Sequence, residues 1–226
     1  MAILVTGFGP HGNIGCNPSW EAIRDNRLKI NREGWVIITA RLDATYDAAN
    51  KFSEMYGHVW KQYNPVIVVH LGFEPNNKSF LQFEKFARDG LYVKEDINSY
   101  APHANLASRA EGYVSAPPAW SATCFNLDAI CDKLNSLHRE GKIALLAKKS
   151  TEAGLDVCEY LYFRSLIQSS LRRVVFIYVP DVMNFGLNDI TLALKYAIEL
   201  IADHFQDDDC QAAVRSHTPS ESRSGR

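Results

Sequence analysis

Cys158 is the residue best placed to act as a nucleophile. It falls just inside a predicted helix that follows an apolar strand, and open α/β sheets bind ligands at the carboxyl ends of their strands. Backbone N–H groups in the first turn of a helix also stabilise a thiolate. Against this, Asp156 and Glu159 would oppose thiolate formation, and free cysteine is among the most frequently buried residue types. The spacing alone leaves both interpretations open.

Glu84 is the second candidate, because aromatic residues surround it in the segment Phe80 to Ala87. An acid among aromatic side chains is expected to be partly buried, and burial perturbs the pKa of a carboxyl group, as is typical of functional sites. The alternative is a surface carboxylate paired with Lys85 or Arg88. On these residues alone, the surface alternative is favoured.

The segment Gly7 to Gly12 matches the dinucleotide-binding pattern G-x-G-x-x-G and follows a predicted strand. That pattern binds a pyrophosphate only if a helix begins within it, so that backbone N–H groups face the phosphates. Here Pro10 removes one donor, and the helix signal begins later, at Asn17-Pro18. Asp43, which would bind the ribose, falls beyond the second strand. The segment is interpreted as a tight loop, and nucleotide binding would need support from a shift in melting temperature with NAD.

The composition indicates an ordinary globular protein. The 226 residues are 46% hydrophobic and 22% charged, and a chain of this length buries about 70% of its unfolded surface without a disulfide or metal. A net charge of -2 gives no reason to expect nucleic acid or a membrane as partner, and no apolar run approaches the roughly 20 residues of a membrane span. Five cysteines without a C-x-x-C pair and seven scattered histidines predict free thiols, a cytoplasmic location and no metal site.

The elements that position these residues alternate along the chain. Strands are predicted where short apolar runs end at glycine or proline, over residues 3–6, 35–40, 66–69, 143–147 and 174–179. Helices are predicted where apolar residues recur at helical spacing, starting at Asn17-Pro18, near residue 48, at about Leu127, near Cys158 and at an N-cap on Asn188. Residues from about 99 to 123 are polar and proline-containing, and are predicted as an extended loop of the kind that forms lids.

Apolar strands alternating with amphipathic helices predict an α/β fold. The expected architecture is a single three-layer α/β/α domain, with a twisted and mostly parallel sheet covered by helices on both faces. This domain is expected to span residues 1–205. Residues 206–226, which are rich in aspartate, serine and arginine, are predicted to form a disordered polar tail.

Several segments of the chain resemble the pyroglutamyl-peptidase I family, cysteine peptidases that remove N-terminal pyroglutamate from peptides. Residues 6–10 (TGFGP) and 17–22 (NPSWEA) are similar to the opening of that family. Residues 68–72, the Glu84 segment, residues 153–163 and residues 176–180 then follow in family order, so the resemblance covers about residues 3–204. It implies an α/β hydrolase that acts through a cysteine thioester, needs no cofactor and takes peptides with N-terminal pyroglutamate as substrates.

The resemblance also implies roles for individual residues. Cys158 lies at the position of the nucleophile, and Glu84 at that of the acid in a Cys-His-Glu triad. The residues at positions of the pyroglutamyl pocket are Phe8, His11, Asn17 and Phe73.

Three residues depart from the family pattern. Tyr178 stands where the strand motif F-[IV]-H-V-P has the catalytic histidine. His11 replaces the second phenylalanine of the motif G-F-x-P-F-G, and Glu159 replaces the asparagine that usually follows the nucleophile. All three changes lie at or next to positions that the resemblance assigns to catalysis or to the substrate pocket, whereas the apolar pattern of the core is intact.

The change at Tyr178 removes the expected base. A cysteine peptidase must deprotonate its thiol and protonate its leaving amine, and an imidazole of near-neutral pKa does both. A phenol of pKa about 10 accepts a proton poorly, and moving the thiol proton to Glu84 would cost about 5 to 6 kcal/mol from reference pKa values. His70, at the expected end of the third strand, or His11 is a conceivable replacement base.

Two hypotheses follow. In the first, the protein is a peptidase of weak or altered activity that uses Cys158. In the second, it is a catalytically silent relative that keeps the pocket for binding a peptide end or another small ligand. Retention of Cys158 and Glu84 favours the first, whereas Tyr178 and His11 favour the second.

Overall fold

The core of the protein is a six-stranded, mostly parallel sheet. The computed structural model describes residues 1–10, 15–53, 65–77, 79–90, 92–102, 119–169 and 171–205. The strands of this sheet are β1 (Ala2–Phe8), β2 (Val36–Leu42), β3 (Pro65–Phe73), β4 (Phe80–Glu84), β7 (Leu146–Ser150) and β8 (Val174–Val179). Their order is β2-β1-β3-β8-β4-β7, and the β4–β8 pair is antiparallel. A separate antiparallel pair is formed by β5 (Phe86–Asp89) and β6 (Ala119–Ala122).

Five α-helical segments, and a short 3-10 helix at Arg24–Asn26, connect or flank these strands in the described residues. The α-helical segments are α1 (Pro18–Glu21), α2 (helical over residues 46–53), α3 (Leu127–Arg139), α4 (Val157–Gln168) and α5 (Leu187–His204). The side chains of Asn17, Asn126 and Asp156 accept backbone N–H groups at the starts of α1, α3 and α4, and such N-caps fix where a helix begins. The helix predicted near residue 48 is present as α2. Its predicted continuation beyond residue 53 lies outside the described residues.

Helices cover both faces of the sheet, as the alternation of side chains along the strands requires. On one face, here called the α5 face, Ile3 and Val5 of β1 pack with the buried residues of α3 and α5. On the other, here called the α4 face, Leu4 and Phe8 pack with α4 and with residues of α2. The predicted three-layer α/β/α architecture is confirmed.

Several predicted boundaries are wrong. β7 begins at Leu146, three residues later than predicted, because the apolar run from residue 143 first fills the core beside α3. α5 begins at Leu187 after an N-cap at Gly186, so Asn188 lies in the first turn and is not the cap. β6 falls inside the predicted loop of residues 99–123, and β4 and β5 had no predicted counterpart. Residues 103–118 and the predicted tail 206–226 lie outside the described residues.

Two further expectations concern membranes and thiols. Among the described residues, no helix combines the length and apolar character needed to cross a membrane. Cys16, Cys131 and Cys158 are free thiols. Cys124 is disulfide-bonded, so the prediction of free thiols is wrong at this position.

Candidate active site

A cavity of about 290 Å³ opens at the carboxyl ends of β1 and β3, beside the first turn of α4. This is the edge at which parallel α/β sheets bind ligands. Its lining residues are Phe8, Asn17, Ala44, Phe73, Glu95, Asp96, Ile97, Asp156, Val157 and Cys158. Four of the residues singled out in the sequence, Phe8, Asn17, Phe73 and Cys158, thus line one cavity, whereas His11 lies outside the described residues.

Cys158 is the second residue of α4 and is partly exposed to the cavity. Asp156, the N-cap, accepts the backbone N–H of Cys158 at 2.9 Å, which fixes the helix start and places a carboxylate beside the thiol. Burial and the negative charge of Asp156 raise the pKa of the Cys158 thiol well above its ordinary value. The sulfur is therefore held as a thiol at neutral pH, although it stands at a helix N-terminus.

Tyr178 lies directly behind the thiol, on β8. Its ring is almost fully buried, and its hydroxyl forms a hydrogen bond with Cys158. Such a bond favours the thiolate only if the phenol donates, but the single hydroxyl proton is donated to the carbonyl oxygen of Ala153 at 2.7 Å. Burial and the negative charge of Asp156 raise the pKa of Tyr178 well above its ordinary value, so the side chain stays a neutral phenol near neutral pH and supplies no phenolate to take up the thiol proton.

Glu84 ends β4, next to β8. The antiparallel register sets Gln82 opposite Tyr178 and Glu84 opposite Phe176, so Glu84 and Tyr178 share a sheet face as diagonal neighbours, roughly 7–8 Å apart at the backbone. Glu84 is fully buried. Its Oε1 accepts from Gln82 Nε2 at 2.7 Å, and burial raises the pKa of its carboxyl group. The surface interpretation of Glu84 is wrong, and the carboxylate lies behind Tyr178 rather than on the cavity wall.

Gly72 makes room for the aromatic side chains of Phe176 and Tyr178. It pairs with Tyr178 across β3 and β8. A Cβ atom at Gly72 would approach ring atoms of Phe176 to 2.8 Å and of Tyr178 to 2.9 Å, well inside van der Waals contact. The sheet therefore accommodates both rings only because residue 72 lacks a side chain.

His70 does not serve the cavity. It is fully buried on the α4 face, where Nδ1 lies 2.7 Å from Thr6 Oγ1 and Nε2 lies 2.8 Å from Ser165 Oγ. Burial lowers the pKa of its imidazole to about 3. Because both ring nitrogens are hydrogen-bonded to hydroxyl groups away from Cys158, the geometry does not support His70 as a replacement base.

Glu159 has a structural role that the sequence did not reveal. This residue is 1% exposed and binds the guanidinium of Arg88 through both oxygens, at 2.8 and 2.9 Å. It also accepts the backbone N–H groups of Arg88 at 2.9 Å and Leu155 at 2.7 Å. Leu155 and Gly154 have positive φ values of 53° and 114°, so Glu159 ties the unusual turn before α4 to β5.

The loop on the far side of the cavity was also not predicted as part of the site. Asp96 accepts the backbone N–H groups of Tyr46 at 3.0 Å, Asn98 at 2.8 Å and Tyr100 at 3.1 Å. These bonds anchor residues 95–97 to the start of α2. A signal was present in the sequence, since aspartate commonly accepts N–H groups two residues on, but its position against the cavity depends on the tertiary fold.

The glycine-rich segment packs against α1. A Cβ atom at Gly7 would lie 2.3 Å from the carbonyl oxygen of Ser19, so glycine at this position allows α1 to approach β1. Asn17 donates from Nδ2 to the carbonyl of Gly9 at 3.2 Å while its Oδ1 accepts the N–H of Ser19 at 3.1 Å. The described residues of this loop are thus held by α1, as the tight-loop interpretation predicts.

The described part of the chain contains no candidate metal site, because no three of its His, Cys, Asp or Glu side chains come together in a way that could hold an ion. The cavity is lined by a thiol and three carboxylates, and the phenol of Tyr178 lies behind the thiol.

Known proteins of one family are similar to this chain in sequence. The model of the pyroglutamyl peptidase family matches residues 1–200. Pyroglutamyl-peptidase 1 of Homo sapiens is 24% identical over 203 residues, which cover 89% of this chain and 90% of the human protein. Pyrrolidone-carboxylate peptidase of Thermococcus kodakarensis is 29% identical over 185 residues, covering 80% of this chain and 81% of that protein.

Solved structures give the same result for the fold. Pyroglutamyl peptidase I of Bacillus amyloliquefaciens aligns with a TM-score of 0.70 at 23% identity, over 91% of this chain and 98% of the other. A mutant pyrrolidone carboxyl peptidase from Pyrococcus furiosus aligns with a TM-score of 0.72 at 22% identity, over 91% and 100% of the two chains. Since the family model spans nearly all described residues and the fold agrees, the chain belongs to the pyroglutamyl peptidase family.

Proposed function

We propose that this protein binds peptides with N-terminal pyroglutamate in the Cys158 cavity and hydrolyses them weakly. The observation that carries the proposal is the pairing of a cavity-lining thiol with a buried phenol where a base is required. Cys158, Glu84 and Tyr178 are the proposed catalytic set, and Phe8, Asn17 and Phe73, with His11, the proposed substrate-binding set.

The cavity walls suit a pyroglutamyl group. A five-membered lactam presents two apolar faces and one amide edge. Phe8 and Phe73 supply apolar surface in the cavity, and Asn17 supplies an amide. A small number of polar groups in a mostly apolar wall is the usual composition of a small-molecule site.

Hydrolysis through a cysteine thioester needs two proton transfers. The Cys158 sulfur attacks the pyroglutamyl carbonyl carbon, the C–N bond breaks, and the thiol proton must reach the departing amine. Water then cleaves the thioester and regenerates the thiol. Because the pKa values of both Cys158 and Tyr178 are raised, the thiol stays protonated near neutral pH and Tyr178 is not ionised to accept its proton, and loss of a general base costs about two to four orders of magnitude.

The second candidate function is binding without turnover. The hydrogen bond from Tyr178 to the carbonyl of Ala153 favours it, because it gives the phenol a role in holding the turn before α4. On this alternative the pocket retains a peptide end or another small ligand, and Cys158 is a wall residue.

One experiment separates the two. We expect the purified full chain to bind a pyroglutamyl dipeptide in calorimetry and to hydrolyse a fluorogenic pyroglutamyl amide only slightly above background. Cys158→Ala should keep the binding and remove the residual turnover, because the alanine leaves the apolar walls intact. Residual turnover that is unchanged in Cys158→Ala does not come from Cys158, and this result favours the second candidate, binding without catalysis at this site. Absence of dipeptide binding by the wild type would refute the proposed function.

We also propose a cytoplasmic location. The three free thiols support it and the disulfide-bonded Cys124 opposes it. Fractionation of cells that express the full chain tests the location, and recovery in a secreted fraction would contradict it.

A further inference from the structure

We propose that a second cleft, on the α5 face of the protein, binds a compact organic phosphate. This cleft has a volume of about 300 Å³ and is lined by Arg27, Lys29, Asn188, Thr191, Leu192 and Lys195. Its three cations come from two separate segments, the stretch after α1 and the first turns of α5. No carboxylate is among the lining residues.

The three cations lack anionic partners within the described structure. Arg27, Lys29 and Lys195 form no ion pair with a carboxylate of the described residues. Like charges gathered around one cleft repel each other, and an anion that enters the cleft relieves this repulsion. The whole chain has a net charge of -2, so any attraction for an anion comes from the three cations around the cleft and not from the net charge of the protein.

Four carboxylates on the neighbouring turns are engaged with other groups, whereas Asp189, next to Asn188 in the first turn of α5, forms no ion pair with the described residues. The Arg24 guanidinium pairs with Glu21 at 2.9 Å and with Asp25 at 3.4 Å. Further along, Asp203 pairs with Arg32, and Glu199 accepts the backbone N–H of Asn31 at 2.8 Å. The adjacent cations thus have carboxylate partners while those of the cleft do not.

The two walls of the cleft are joined by a hydrogen bond at its floor. Thr191 Oγ1 lies 2.9 Å from the carbonyl oxygens of Ala22, just after α1, and of Leu187, at the start of α5. This contact fixes α5 against the segment that leads to Arg27. A site whose walls are already positioned loses less entropy when a ligand binds.

The chemistry of the lining selects the class of ligand. An arginine guanidinium donates paired N–H groups to phosphate oxygens, and lysine supplies a compact positive charge. Asn188 adds an amide at the edge, and Leu192, which is 39% exposed, offers apolar surface to an organic group. The volume lies at the lower end of the range for small-molecule sites, so a small phosphorylated molecule fits better than a dinucleotide.

This cleft is distinct from the Cys158 cavity in place and in charge. α5 packs on one face of the sheet and α4 on the other. The Cys158 cavity is lined by Glu95, Asp96 and Asp156 and by no lysine or arginine among the described residues. An anion therefore prefers the α5 cleft, and the two ligands need not exclude each other.

The test is a calorimetric titration of the full chain with pyrophosphate, inorganic phosphate and citrate, at low and at physiological salt. We expect saturable binding of pyrophosphate that weakens with salt. Lys195→Gln and Arg27→Gln should each weaken it about fivefold, and Leu192→Glu, which adds a carboxylate to the cleft, should abolish it. Lys133→Gln, an exposed lysine on α3, is the matched control and should bind as the wild type does.

Other results would overturn the proposal. These are absence of saturable pyrophosphate binding, an equal loss in Lys133→Gln, tighter binding of citrate than of pyrophosphate, or displacement of pyrophosphate by a pyroglutamyl dipeptide. Because the altered side chains lie at the surface, unchanged melting temperatures without ligand will show that each variant is folded. The outcome does not depend on turnover at Cys158.

Discussion

Burial is the main influence on the titratable residues around Cys158. Burial raises the pKa of the thiol, of the phenol and of the Glu84 carboxyl group, so the surroundings favour the neutral form of all three. A peptidase needs the opposite for its nucleophile, a thiol whose pKa is lowered by a neighbouring base. The cluster therefore has the parts of a thiol peptidase in a protonation state that disfavours attack.

His70, a further buried titratable residue, leads to a prediction about stability. Its pKa is about 3 in the folded protein against 6.5 for an exposed histidine. Below pH 6.5 the unfolded chain binds a proton that the folded chain rejects, so stability falls as the pH falls. We expect His70 alone to lower the free energy of unfolding by about 2 kcal/mol between pH 7 and pH 5.

Urea denaturation of the wild type and His70→Gln at both pH values measures this effect. The raised pKa values of Glu84 and Asp156 act in the opposite direction, but they are common to both proteins and cancel in the comparison. An equal change of stability with pH in the two proteins would show that His70 is not buried in its neutral form.

At the level of elements, the ion pair between Glu159 and Arg88 holds the start of α4 to β5. Glu159→Gln leaves the guanidinium of Arg88, whose side chain is 15% exposed, without its charged partner. Breaking a buried ion pair on one side costs about 3 to 5 kcal/mol, and we expect a loss of unfolding free energy of about 3 kcal/mol. Glu152→Gln, on an exposed residue of the same loop, is the control, and an equal effect of both changes would contradict the role of Glu159.

The elements also show what the sequence can predict. β1, β3 and β8 are buried on both faces, and such strands are continuous apolar runs that are easily recognised. β7 reads LAKKS, because it is an edge strand with two exposed lysines, and a search for apolar runs shifts it toward residue 143. β4 and β5 are short and separated only by Lys85, so neither gives a clear period.

The candidate site was predictable to the extent that it depends on local signals. A helix start just before Cys158 was predicted from local signals, and α4 begins there. β1 and β3 end at Phe8 and Phe73, two and four residues beyond the predicted strand ends, so these two residues were placed in the pocket by the family resemblance alone. The partners of Glu159 and the 95–97 wall are contacts between segments distant in sequence. Such contacts become visible only when the sheet order is known.

At the scale of the whole molecule, two cavities of opposite charge lie in different places. The Cys158 cavity, with three carboxylates, lies at the carboxyl ends of β1 and β3 beside α4, and the cleft with three cations lies between α5 and the segment after α1. The fold agrees with that of solved pyroglutamyl peptidase structures that are 22–24% identical to this chain.

The most direct measurement is kcat/KM on a fluorogenic pyroglutamyl amide for the wild type and Tyr178→His. An imidazole beside Cys158 and Glu84 restores a proton acceptor, and we predict a gain of about 100-fold over a wild type near background. Tyr162→His, at another buried tyrosine near Glu84, should show no gain. Rapid wild-type turnover that Cys158→Ala abolishes would contradict the account, since a base other than residue 178 would then be at work.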